Sequence, residues 1–190
     1  MMLIELFGAF SILNSFDEIR FANSQKQIYD TSCGYASVAT VLHNWYEEEV
    51  TEAELIEHSL KETSNTGFYT TSVKDLLEIL TIHGYFAKAY RFDYDALVGA
   101  VDRYSPLIAH GNEDSGHFIV VLYADKEKLL ISDPSYGTYV MYRSDFEKYF
   151  SGVAILVHNA YRDPDYEKLE SMIAEAESRL ELLHKAVLFL

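Results

Sequence analysis

The feature that most limits the fold is a change of hydrophobic period at Gly84. Before it, apolar residues recur at helical spacing. Ala36, Val38, Ala39, Val41, Leu42 and Trp45 predict a helix over Cys33 to Tyr46, opened by the capping-type residues Asp30, Thr31 and Ser32. Thr51 to Leu60 carries a Thr-x-x-Glu capping box at Thr51 and Glu54, and Thr71 to His83 ends at Gly84, so both predict helices. After Gly84 the runs shorten. Tyr85 to Arg91, Pro106 to His110, His117 to Tyr123, Lys128 to Ser132, Tyr136 to Met141 and Gly152 to His158 predict strands, with short helices at Tyr94 to Asp102 and Ser144 to Phe150. The polar stretch Ala124-Asp125-Lys126-Glu127 between two apolar runs predicts a hairpin. Helices first and an antiparallel sheet afterwards make an α+β arrangement.

Asp163-Pro164 breaks the chain, and Asp165 to Leu190 predicts one long helix. Its seam of Leu169, Ile173, Ala176, Leu180, Leu183, Val187 and Leu190 alternates three and four residues apart. Such a stripe fits a helix lying on its own domain, and equally a coiled coil or docking helix that would make a homodimer. The expected organisation is one domain over residues 1–160 and a C-terminal amphipathic helix over 161–190.

With 49% hydrophobic and 24% charged residues, the 190-residue chain has the balance of a folded domain with a core. A formal charge of -15, spread along the chain, repels phosphate backbones and anionic lipid, so nucleic acid is not an expected partner. Neither apolar stretch, Met1 to Phe16 or the last residues, reaches the ~20 apolar residues of a spanning helix. Met1 to Phe16 also lacks the basic start and cleavage site of a signal peptide, although a signal removed before residue 1 stays open. One cysteine rules out an internal disulfide and a Cys-rich zinc site, so Cys33 has to be judged as a thiol.

At a helix start a thiolate lies near unpaired N–H groups and the positive end of the helix dipole, which lowers its pKa. Gly34 beside it removes a side chain that would crowd an incoming carbonyl. A thiolate nucleophile needs a base that stores its proton and passes it to the leaving amine, which histidine does best near neutral pH. Of seven histidines His117 stands out, because Gly116 precedes it and the apolar run Phe118 to Leu122 fixes its backbone. Sixteen residues on, Leu129 to Ser132 runs into Asp133-Pro134, at the end of the other hairpin strand. A carboxylate there can orient His117, although Asp-Pro also simply starts turns. Gln27, six residues before Cys33, can share the cleft with the Cys33 N–H and bind an oxyanion.

The segment from Gln27 through Cys33-Gly34 to Thr40, with Gly116-His117-Phe-Ile-Val-Val and Asp133-Pro134-Ser-Tyr-Gly137, resembles the bacteriocin-processing, or double-glycine leader, peptidases, cysteine-peptidase family thirty-nine. The likeness covers roughly Phe16 to Val157. It implies a papain-like fold and a cysteine endopeptidase that cuts a peptide or protein precursor after a double-glycine-type leader without a cofactor. Cys33, His117, Asp133 and Gln27 would be catalytic. Tyr29, Gly34, Tyr35, Phe68, Gly116 and Tyr136 are the residues expected to meet substrate.

Family members commonly form the N-terminal domain of an ABC exporter, but these residues hold no spanning helix and no Gly-x-x-x-x-Gly-Lys-Ser/Thr loop. Ser15 to Arg20 and Gly67-Phe68 look more like the stand-alone members, including the protease of bacterial functional-amyloid export. That likeness implies an export apparatus as partner and a periplasmic or envelope location, with a cytoplasmic enzyme as the alternative. Two other readings stay open: a silent domain that binds leaders without cutting them, and an acyltransferase using the same thioester. A metal site around His110, Glu113, Asp114 and His117 matches no His-Glu-x-x-His pattern, and none is expected.

Overall fold

The computed structural model describes residues 16–63, 71–112 and 116–188. A short helix α1 (Phe16–Arg20), which the sequence pattern had not revealed, precedes α2 (Cys33–Tyr46), α3 (Glu52–Thr63) and α4 (Val73–Ile82). Next come β1 (Phe86–Arg91), α5 (Tyr94–Tyr104), β2 (Leu107–Gly111), β3 (His117–Ala124), β4 (Lys128–Asp133), β5 (Gly137–Tyr142), α6 (Arg143–Tyr149) and β6 (Phe150–His158). The long helix α7 (Tyr166–Leu188) follows. Helices lead and an antiparallel sheet follows, so the α+β expectation holds.

The sheet runs β1-β6-β2-β3-β4-β5, every neighbouring pair antiparallel. The final strand β6 therefore inserts between β1 and β2, an order that local sequence pattern does not announce. β3 sits in the middle and is apolar on both faces, because both faces are covered. On one side Phe118, Val120 and Leu122 pack with Val38, Val41, Leu42 and Trp45 of α2. On the other, Ile119 and Val121 pack with Leu97 and Val101 of α5 and Phe146 of α6.

Burial, and not capping, holds α2 in place. Ser32 stands at its N-cap position, but its side chain makes no cap hydrogen bond and instead donates to the Tyr29 carbonyl at 2.8 Å. A missing cap forgoes about 1 kcal/mol, whereas each fully buried Val or Leu on this helix contributes about 1.5–3 kcal/mol. The expected box at α3 is present, with Glu54 Oε2 accepting from Thr51 N at 2.8 Å. Ser72 and Asp75 form a second, reciprocal box at α4.

The first half of α7 lies on the domain. Leu169 and Met172 are buried in the α2-side core, with Ile173 and Ala176 packed against it. Lys168 donates to the Asn44 carbonyl at 3.1 Å, and the Asp165 N–H donates to that of Trp45 at 2.9 Å. No helix of the described residues is long and apolar enough to cross a membrane.

Candidate active site

The cleft forms where the start of α2 meets the ends of β3 and β4. Ser37, one turn along α2 from Cys33, donates from Oγ to the Phe118 carbonyl at 3.1 Å, which sets the helix that opens with Cys33 against the strand that begins with His117. Tyr149 of α6 donates to the His117 carbonyl at 3.3 Å, and its ring fills the space beside Gly111, opposite His117 in the β2–β3 ladder. The imidazole's backbone is thus held from both layers.

His117 Nε2 donates to Asp133 Oδ1 at 3.0 Å, with the two residues 7% and 2% exposed. The same Asp133 oxygen accepts from Ser135 N at 2.7 Å and Tyr136 N at 3.2 Å, and Oδ2 from the Tyr139 hydroxyl at 3.4 Å. This buried carboxylate is therefore well provided with donors. The Cys33 side chain stands near enough to the imidazole to favour its protonated form. With Nε2 committed to Asp133, Nδ1 is the nitrogen left for sulfur. Burial alone would push the imidazolium pKa down, but the hydrogen bonds and charges of Asp133 and Cys33 outweigh it and lift the value to about 10.

Gln27 reaches the same place through a different set of bonds. Its N–H donates to the Pro134 carbonyl at 3.0 Å, and its Oε1 accepts from Ser135 Oγ at 2.9 Å. The Ser135 hydroxyl so fixes which way the amide faces. One Nε2 hydrogen goes to the Tyr29 carbonyl at 3.0 Å, leaving the second. Around this, residues 20–27 are laced to 132–137. Ser24 Oγ donates to the Asp133 carbonyl at 3.2 Å, Ser132 Oγ to the Asn23 carbonyl at 3.0 Å, and the Arg20 guanidinium to the Tyr136 carbonyl at 2.6 Å. Sequence reading had singled out none of Arg20, Ser24, Ser132, Ser135 or Tyr139. Only the position of Ser135 directly after Asp133-Pro134 was a local signal.

The remaining expected residues divide. Tyr29, 60% exposed, and Tyr35 line one cavity of about 510 Å³ with Thr31, Ser32, Ile56 and Leu60, beside the start of α2. Tyr35 is itself buried, its hydroxyl donating to Ser59 Oγ at 2.7 Å. Tyr136 is exposed at the turn after Asp133. Phe68 lies outside the described residues. Gly34 also meets a packing constraint: a Cβ there would lie 2.6 Å from the Thr71 methyl. Gly116 has φ +75°, and a Cβ on it would lie 2.7 Å from His110 Nε2. His110 itself packs on Phe118, shares its Nδ1 with Ser151 Oγ at 2.9 Å and is kept below the usual imidazole range by burial and by the charge of His117. Glu113 and Asp114 lie outside the described residues.

The model of the peptidase C39 family matches residues 22–162. The chain belongs to the peptidase C39 family. Membership bears out the resemblance read from the cysteine, histidine and aspartate segments. A Pseudomonas fluorescens protein named "Probable functional amyloid protease FapD" is 29% identical over 78% of this chain, and the match spans 66% of that relative, just under two thirds of its length. An uncharacterised protein of Methanothermobacter marburgensis is 31% identical over 66% of this chain and 81% of its own. Among solved structures, the peptidase domain of the Streptococcus ABC transporter ComA aligns at TM-score 0.62 and 23% identity, covering 72% of this chain and 98% of that domain. A double-glycine-motif protease from an AMS/PCAT transporter, solved with its leader peptide, aligns at TM-score 0.57 and 23% identity over 70% of this chain and 89% of its own. At these identities the structures show a shared fold, that of C39 papain-like peptidase domains.

Proposed function

We propose that this C39 peptidase is a cysteine endopeptidase that cleaves a precursor after a double-glycine-type leader, with Cys33, His117, Asp133 and Gln27 as its catalytic groups. The observation that carries the reading is the buried imidazole of His117, bonded to Asp133 at 3.0 Å and near enough to the only thiol in the chain for that thiol to favour its protonated form. A cysteine kept as a packing residue has no use for that arrangement, which also speaks against a silent leader-binding domain.

In the first step the Cys33 thiolate attacks the carbonyl carbon of the scissile peptide. A C–S bond forms, and the carbonyl π electrons move to oxygen, where the free Gln27 N–H and the Cys33 N–H receive them. The C–N bond then breaks, and the leaving amine takes the proton from the His117 imidazolium. What remains is a thioester and a neutral imidazole. His117 next removes a proton from water, the hydroxide adds to the thioester, and the C–S bond breaks to return thiolate and imidazolium. Asp133 holds the ring orientation throughout and stabilises its cationic form.

Substrate would enter past Tyr29 and Tyr136, with the apolar cavity bounded by Tyr29, Tyr35, Ile56 and Leu60 taking leader side chains. A small residue at the cut site suits a thiol that is only 5% exposed. Under this reading the enzyme works beside an export apparatus in the cell envelope, and α7, whose first half rests on the domain, leaves its further face for that partner or a second copy. The deciding experiment incubates the full chain with peptides bearing Gly-Gly or a bulkier pair. Cleavage after Gly-Gly that disappears in Cys33→Ala, persists with chelator and yields no amine adduct is the expected result. Cleavage surviving Cys33→Ala would remove the nucleophile assignment, and adducts with added amines would make the chain an acyltransferase.

A further inference from the structure

Glu52 is a buried carboxyl that the chemistry above does not use. It opens α3 and is 2% exposed. The cap of that helix is already made by Thr51 and Glu54, so Glu52 is not needed there. Its side chain instead turns under the loop joining Gln27 to Cys33, where Oε2 accepts from the Ile28 N–H at 2.8 Å. The Tyr29 N–H and the Ser32 hydroxyl lie close enough to favour its charged form, yet burial dominates and pushes the carboxyl up. Oε1 is buried with no hydrogen-bond partner among the described residues. A buried, half-used carboxyl costs free energy, and such a cost persists where the group serves something beyond stability.

The loop above it is held by single hydrogen bonds and not by packing. Ile28 and Tyr29 are 62% and 60% exposed, so between Gln27 and Ser32 there is no apolar side chain driven into the core. Its hydrogen bonds are few: the Ile28 N–H donates to Glu52, Ser32 exchanges bonds with Tyr29, Gln27 Nε2 donates to the Tyr29 carbonyl at 3.0 Å, and Thr71 Oγ1 donates to the Thr31 carbonyl at 3.0 Å. Among the described residues Glu52 is thus the one side chain that reaches the Ile28 end from beneath. On either side stand the two groups whose separation matters most for an oxyanion: the Gln27 amide and the backbone N–H of Cys33. A displacement of about 1 Å in such a constellation costs up to about a hundredfold in rate.

We propose that Glu52 is a positioning residue for oxyanion binding, anchoring the Gln27–Cys33 loop from beneath so that both donors meet one oxygen. The inference rests on the reading of Gln27 as the oxyanion donor. An oxygen accepting from Ile28 at the right reach is what the role requires. Glutamine supplies that oxygen without charge, aspartate is one methylene short, and leucine has none.

The test uses the full chain with Glu52→Gln, Glu52→Asp and Glu52→Leu, each alone and with Gln27→Ala, assayed on a peptidyl anilide ending in Gly-Gly. Amide exchange at Ile28 and alkylation of Cys33 by iodoacetamide, which forms no oxyanion, are followed beside it. Leucine and aspartate are expected to speed Ile28 exchange about tenfold or more and to lower kcat about tenfold to hundredfold with KM nearly unchanged. Glutamine should stay within about threefold of the parent on both counts, alkylation should not move, and in the Gln27→Ala background leucine should change kcat less than about twofold. Unchanged Ile28 exchange in the aspartate variant overturns the anchor whatever the activity, and that variant stands in should leucine prevent folding. An equal kcat loss with and without Gln27 overturns the link to the oxyanion. Gln27→Ala with parental kcat overturns the donor assignment itself, which is distinguishable because Ile28 exchange would still report the anchor.

Discussion

The two halves of the site are built by different means. His117 and Asp133 stand at the ends of neighbouring central strands, their backbones set by ladder pairing to β2 and β5 and by packing on both faces of the sheet. Cys33 and Gln27 are presented by the start of a helix and by a loop, joined to the acid side through single side-chain bonds from Arg20, Ser24, Ser132 and Ser135. A ladder distributes its holding over many backbone groups, so no one side chain is decisive. A laced loop concentrates it, and the loss of one hydroxyl there is felt at the site.

The comparison can be broken from either side. The largest effect is expected at the charged core of the sheet half: Asp133→Asn should lower kcat about 10³–10⁴-fold while the fold persists. It should also move the alkaline limb of the rate profile. His117, lifted from 6.5 to about 10 in the intact site, keeps its proton below that range and loses it as pH rises through it. The stabilisation from that lift is complete below pH 6.5 and vanishes through about 10, and without the Asp133 charge the upper limit falls toward the ordinary imidazole value while the lower stays where it is. A pH–rate profile with an unmoved limb would mean that Asp133 does not sustain the imidazolium.

Next comes Gln27→Ala, expected to cost about 10²–10³ in kcat with iodoacetamide alkylation of Cys33 unaltered. Parallel losses in both would point to a disturbed thiolate in place of a lost oxyanion donor. Ser135→Ala frees the Gln27 amide to turn, and a kcat reduced about tenfold with little change in Tm is the outcome that supports a brittle loop half. No change would show that the Tyr29 carbonyl orients the Gln27 amide without Ser135. The smallest kinetic effect belongs to the sheet: Ile119→Val, fully buried beside His117, should lower stability by about 1 kcal/mol in a denaturant titration and leave kcat/KM as it was. A fall in kcat/KM there would show that the ladder does not insulate the site.

The sheet half was also the half that sequence revealed. His117 before an apolar run, Asp133 after one and a polar turn between them place both residues through local pairing alone. Asp125 closes that turn by accepting from Glu127 N and Lys128 N at 2.7 and 2.9 Å. The loop half was readable only as residue identities in a spacing. Its bonds join positions more than a hundred residues apart, and α1, a single turn of helix, has too few residues to show a period. Gly34 was readable as a required glycine, but not that Thr71 is what requires it.

Period and turn chemistry act over a few neighbouring residues, so the chain by itself determined its longer helices, its strands and the hairpin, and offered Cys33, His117 and Asp133 as candidates. Tertiary packing alone decided that β6 enters between β1 and β2, that the seam of α7 turns its first half toward Trp45, and that Ser135, Arg20 and Glu52 converge on the loop carrying Gln27. Those contacts join groups distant along the chain, and a hydrogen bond between such groups leaves no mark on the residues flanking either one.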